Sequence, residues 1–129
     1  MRRLMALLAI GAFALAACGG GDGEGDGDGV APCTHLTVGA TFTITMVGTS
    51  FEPECVVANR SQGLTLENTA GVAHTFTIEG TQVDVEVAGG ETANLEPIND
   101  AIAAGTYIVY CRFHGTPEGS GMAMELRAQ

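Results

Sequence analysis

Residues 105–122 read GTYIVYCRFHGTPEGSGM. A run of β-branched and aromatic residues from Tyr107 to Cys111 leads into Arg112-Phe113-His114. A glycine-rich link and then Gly121-Met122 follow. An apolar run of this composition, bounded by glycine, favours a strand over a helix. That strand carries chemistry at its end. A thiolate, an imidazole three residues on and a thioether close behind form a soft donor set, which suits copper better than magnesium or calcium. Two such donors can converge on one ion across a tight turn, but a third strong donor must come from elsewhere. His74 opens the run Thr75-Phe76-Thr77-Ile78, where it can reach the same end of the domain.

Outward from this stretch the hydrophobic period is two. Thr41 to Met46 alternates, as do Leu64 to Leu66, Thr75 to Ile78, Val83 to Val87 and Thr106 to Val109. Turn residues separate the runs at Gly48, Pro53, Gly63, Gly71, Gly80, Gly89-Gly90 and Gly105. Seven or eight short strands, with turn signals about every ten residues, predict an all-β sandwich. Only Asp100 to Ala104 hints at a helical turn. The predicted domain runs from residue 30 to 129, long enough for one modest core.

The amino-terminal side reads differently. Arg2 and Arg3 precede an apolar run from Leu4 to Ala17, too short for a comfortable bilayer span but suited to a signal-peptide core. Leu15-Ala16-Ala17-Cys18 resembles the bacterial lipobox, which implies removal of residues 1–17 and lipidation of Cys18. Each buried acyl methylene contributes about 0.8 kcal/mol, so two or more chains anchor a protein to a membrane. Gly19 to Gly29 reads GGGDGEGDGDG, with no apolar residue. Residues 18–29 are therefore expected to form a flexible, self-repelling tether. The acidic spacing lacks the EF-hand pattern and its terminal Glu, so calcium is disfavoured.

The 129-residue chain has 15 acidic against 5 basic residues, a net charge of -10; losing the leader's two arginines makes it -12. That charge argues against nucleic acid, whose phosphates need cationic partners. It favours protein partners with a basic docking face. The 46% hydrophobic content argues against disorder for the chain as a whole.

The domain resembles the small blue copper proteins, or cupredoxins, of the plastocyanin and pseudoazurin kind. The likeness runs from about Thr49 to Leu126. Phe51-Glu52-Pro53 is like the F-x-P that opens a family strand, and Asn68 through His74 is like the segment leading to the first copper histidine. Gly105-Thr106-Tyr107, Tyr110-Cys111, His114 and Gly121-Met122 are like the G-x-Y…Y-C-x-x-H…G-M signature. The resemblance implies a Greek-key sandwich with one type 1 copper ion. It assigns His74, Cys111 and His114 as strong ligands and Met122 as the long axial one. Met124, two residues on and facing the same way, is the competing axial candidate.

The implied function is one-electron transfer without a substrate, in a monomer outside the cytoplasm, anchored through Cys18. A c-type cytochrome or the copper domain of an oxidase would be a suitable partner. Copper storage or delivery is the alternative function. The chain departs from the family pattern in its longer His114–Met122 link and in Arg112-Phe113 after the cysteine. Thr75, following the first histidine, would pin the ligand loop by a hydrogen bond.

Cysteine count fits this reading. With Cys18 given to lipid, Cys33 and Cys55 are the natural disulfide in an oxidising compartment. Cys111 is then left for a metal, since a free thiol there is prone to oxidation. A Cys111–His114 nucleophile pair would lack an orienting acid and an oxyanion site. His35 is expected at the surface, and Met46 in the core as a gap-filler.

Overall fold

A computed structural model describes residues 32–39 and 42–129. The leader, Cys18, the acidic tether and Thr41 lie outside the described residues. Ten strands form within them: β1 (Thr34–His35), β2 (Phe42–Val47), β3 (Ser50–Glu52), β4 (Cys55–Ala58), β5 (Leu64–Asn68), β6 (His74–Ile78), β7 (Asp84–Val87), β8 (Thr92–Leu95), β9 (Gly105–Gly115) and β10 (Gly121–Ala128). They build two sheets, one ordered β1-β4-β10-β9-β6-β7 and the other β3-β2-β5-β8.

The all-β expectation holds, with more strands than the seven or eight predicted. The two-residue β1 is too short to show any period, and both of its residues are exposed. All four residues of β4, Cys-Val-Val-Ala, are buried, so no alternation marks it. Phe51-Glu52-Pro53 closes a strand instead of opening one: Phe51 and Glu52 end β3, and Pro53 has no N–H to continue a ladder. Around Asp100 the chain makes a single turn, with Ala101 N–H and Ile102 N–H both donating to the Ile98 carbonyl at 3.0 Å.

Alternation along the strands puts one face of each sheet inward. Ile44, Met46, Leu66, Phe76, Val109 and Leu126 are completely buried between the sheets. Phe51 of β3 meets Phe76 of β6 edge to face, centroids 6.2 Å apart, and so ties the sheets together near the sequence centre. Pairs of this kind contribute about 0.5–1.5 kcal/mol beyond the area they bury. At the end of β5 the inward position is taken by a polar residue, Asn68. Its amide donates to the Val72 and Val87 carbonyls at 2.8 and 2.9 Å, and its Oδ1 accepts from Ala70 N–H at 3.0 Å. A buried amide so fully bonded fixes the 69–73 loop that delivers His74.

Cys33 and Cys55 form a disulfide across 22 positions of sequence, beside the parallel pairing of Thr34 with Val56 and His35 with Val57. Closing a loop of that size stabilises a fold by roughly 3 kcal/mol in the chain-entropy picture. The double variant Cys33→Ser/Cys55→Ser should therefore lose stability of that order in urea unfolding. A loss within experimental error of zero would show that the bridge does not constrain the unfolded chain.

Candidate metal centre

Register arithmetic builds the site. Strands β9 and β10 pair Gly115 with Gly121, then Tyr110 with Ala123, so residues 111–114 stand opposite the single residue 122. β9 must bulge outward there by three residues. An insertion of this kind re-aims the side chains it carries. The bulge holds Cys111 and His114, and Met122 lies across from it, 1% exposed. Cys111 is thus inside an 11-residue strand and not at its end as the sequence suggested, because pairing resumes after the bulge.

The link from His114 to Met122 closes as a tight hairpin. Thr116 N–H donates to the Ser120 carbonyl at 2.9 Å and Gly119 N–H to Thr116 at 3.0 Å. Gly121 sits at φ +70°, and a Cβ there would strike the His114 carbonyl. One at Gly115 would strike the Met122 carbonyl, so two glycines let the two backbones approach.

On its other side β9 pairs with β6 only at Thr77–Tyr110 and Ile78–Val109. Beyond that point side chains replace the ladder. Thr75 N–H donates to Cys111 Sγ at 3.4 Å, and Arg112 N–H donates to Thr75 Oγ1 at 2.9 Å. Thr75 therefore pins the cysteine segment, as its position after His74 led us to expect. Tyr110, preceding Cys111, donates its hydroxyl to Glu79 Oε2 at 2.6 Å. That bond, aided by burial and by the carboxylate charges of Glu79 and Asp84, holds the phenol pKa above 10.0.

The frame brings His74, Cys111 and His114 together. Nδ1 of His74 lies 3.6 Å from Cys111 Sγ, and Nδ1 of His114 lies 3.7 Å from it. All three donor atoms fall within 4.8 Å of one another. Two donors that share one ion through bonds of about 2.0–2.3 Å are themselves roughly 3.5–3.7 Å apart. Spacing and donor type therefore fit one copper ion.

Cys111 and His74 are fully buried, while His114 and the neighbouring Phe113 are exposed. Burial pushes the His74 pKa below 6.5, and the nearby His114 adds to the effect; the Gly48 backbone opposes it. Among the described residues, no group hydrogen-bonds the buried His74 Nε2. Met124 pairs with Val109 farther along β10 and belongs to the apolar core. His35 is exposed and Met46 buried, as expected. A second cluster, Cys33, Cys55 and Glu125, has its thiols committed to the disulfide.

Sequence reading missed Asp84, Thr77 and Glu79, which support the site through hydrogen bonds. The one available signal was that Thr75 and Thr77, two apart on a predicted strand, share a face beside a candidate ligand.

The family model described as "Cupredoxin-like domain" matches residues 29–120. No curated protein matches the chain. Among solved structures, a copper-containing nitrite reductase from Thermus scotoductus superposes at TM-score 0.53 with 20% identity, covering 73% of this chain. This chain spans only 25% of the reductase. An oxidised amicyanin variant superposes at 0.52 with 15% identity, covering 69% of this chain and 82% of its own. A reduced amicyanin variant does so at 0.52 with 14% identity, covering 72% and 86%. At these identities the likeness is one of fold.

The His74 shift has a pH consequence. Because its folded-state pKa lies below 6.5, the unfolded chain binds a proton first as pH falls. Metal-free protein should hold its stability above that value and lose it as pH drops through the folded-state pKa. Thermal unfolding from pH 7.5 to 5 should show the decline, and His74→Gln should flatten it. An equal slope in both proteins would assign the effect to other groups.

Proposed function

The chain belongs to the cupredoxin-like domain family, and from that premise we propose that it is a one-electron carrier built on a type 1 copper site. The observation carrying this reading is the buried Cys111 thiol flanked by two histidine Nδ1 atoms at 3.6 and 3.7 Å. His74, Cys111 and His114 would be the strong ligands and Met122 the long axial one. Bound there, copper supplies a Cu(II)/Cu(I) couple whose potential the axial ligand and the surroundings of the sulfur adjust.

The protein's own part is to hold the donors still. Thr75 N–H bonds the sulfur, Arg112 N–H bonds Thr75, and the glycine-rich hairpin locks His114 against Met122. A frame braced on each side resists rearrangement when charge changes, and that favours fast exchange. The exposed ring of His114 gives the electron a short way out to a partner.

A carrier is favoured over a reductase because, among the described residues, one donor cluster has its thiol free for a metal ion, and a single centre suits one-electron exchange. Its net charge of -10 suits a partner with a basic docking face, such as a c-type cytochrome or an oxidase domain. The Cys33–Cys55 disulfide supports a place outside the cytoplasm, and the Leu15-to-Cys18 motif supports anchoring through lipid on Cys18.

Cu(II)-loaded protein should absorb intensely at about 600 nm through copper–thiolate charge transfer. Cys111→Ser should abolish the band. Met122→Gln should keep copper bound while moving the potential, and Met124→Leu should leave both potential and spectrum near wild type. If the two methionine variants behave the other way round, Met124 is the axial ligand; a colourless Cu(II) protein defeats the whole reading.

Anchoring is tested separately. Cys18→Ser should release the protein from the membrane with its copper spectrum intact, because the tether separates lipid from domain. Lipid retained on that variant, found by mass spectrometry, would place the attachment elsewhere.

A further inference from the structure

A line of polar groups runs from the buried site to the surface. The Thr75 and Thr77 hydroxyl oxygens lie 2.9 Å apart, and Thr77 Oγ1 lies 2.7 Å from Asp84 Oδ1. Arg112 closes the line twice over: its backbone N–H donates to Thr75 Oγ1, and its Nε donates to Asp84 Oδ1 at 2.9 Å. Both threonines are buried, whereas the Asp84 side chain is 47% exposed.

Counting protons gives this chain a direction. A hydroxyl has one proton to donate, and an ionised carboxylate can only accept. The Thr77 hydroxyl and Arg112 both bond the Asp84 carboxylate, and the net effect holds its pKa below 3.8 against the opposing pull of burial. Asp84 is therefore an acceptor at neutral pH, and the Thr77 proton goes to it. None remains for Thr75, so the Thr75 proton must go to Thr77. The lone pairs of Thr75 are then turned toward Arg112 N–H, the first peptide after the thiolate.

We propose that Asp84, acting through Thr77, is a positioning residue for Cys111: it sets the direction of the hydroxyl chain, which gives the Thr75 proton an acceptor and so holds the Thr75 oxygen in place beneath the Arg112 amide. Without Asp84 the Thr77 hydroxyl is free to reverse and donate to Thr75. The proton of Thr75 is then left without an acceptor in a buried place, at the cost that attends any unsatisfied buried hydroxyl. Regular β6–β9 pairing has already ended at Thr77–Tyr110, so no ladder bond takes over. The consequence for copper rests on the carrier reading; the consequence for the Arg112 amide does not.

The test uses the full-length protein, isotope-labelled, both metal-free and loaded with diamagnetic Cu(I). Amide exchange at Arg112 should quicken about fivefold to tenfold in Thr77→Val and in Asp84→Leu, the effect of losing one net hydrogen bond. Thr77→Ser, which restores a hydroxyl, should return it to the wild-type rate. Glu86→Gln should change nothing, although it removes the carboxylate 3.7 Å from the Arg112 guanidinium. The Glu125 amide, which donates to the Glu54 carbonyl at 2.9 Å on the far side of β10, should keep its rate throughout. In the Cu(II) form, the thiolate band should shift in Thr77→Val and not in Thr77→Ser.

Unchanged Arg112 exchange in both Thr77→Val and Asp84→Leu would overturn the proposal. So would Thr77→Ser exchanging as fast as Thr77→Val. An effect of Glu86→Gln equal to that of Asp84→Leu would show that charge near Arg112, and not the hydroxyl chain, is responsible. Since exchange is read without copper, these results stand apart from the colour of the wild-type Cu(II) protein, which judges the carrier reading.

Discussion

The pairing of β9 with β10 forces four residues, 111 to 114, against one, Met122. Neither strand can release that mismatch by sliding. Ahead of it, the ladder from Val109–Met124 to Gly105–Ala128 is locked by core residues; behind it, Gly115 and Gly121 approach too closely to tolerate a side chain. The excess length can only swing outward, and it brings a thiol and an imidazole with it. His74 reaches the same point from β6, where the polar end of β5 at Asn68 has already fixed the loop ahead of it. The donor cluster is thus a result of strand register first and of side-chain attraction second.

Burying so many polar groups in a small core is costly unless each finds a partner. Asn68, Thr75 and Thr77 all do, within the sandwich or at its edge. His74 is the exception: among the described residues its Nε2 makes no hydrogen bond, and its Nδ1 lies 3.6 Å from the sulfur. An imidazole kept neutral by burial, with a nitrogen lone pair available beside a thiol, is prepared for a cation. By contrast, the ion pair of Arg112 with Asp84 lies at the surface, where such pairs contribute little stability by themselves. What it adds is orientation.

Much of this was legible in the chain. Strands such as β2, β5 and β6 announce themselves by alternating residues, because one face of each must be apolar. The spacing of Cys111, His114 and Met122 exposed the donor set, since chain-adjacent ligands remain near in any fold. Strands β1 and β4 were not legible: one is too short for a period, and the other is buried on both sides. The bulge was also hidden. Arg112, Phe113 and His114 read locally as loop, and only the partner strand's register shows that pairing resumes at Gly115. Asp84 was beyond local reading altogether, for it meets Arg112 across 28 positions of sequence, and no nearby pattern encodes that meeting.

The disulfide has a mechanical meaning as well as a thermodynamic one. Cys33 lies at the amino-terminal edge of the described domain, and its bond leads straight into β4. A force applied to the chain ahead of Cys33 would otherwise peel away β1, which holds by two residue pairs. With the bridge in place the load bypasses β1 and enters the sheet at β4, where it is borne in shear by the parallel pairing with β10. Strands β9 and β6, which carry the donors, lie on the far side of β10. Tugging at the amino-terminal end is thereby kept one strand away from His74, Cys111 and His114.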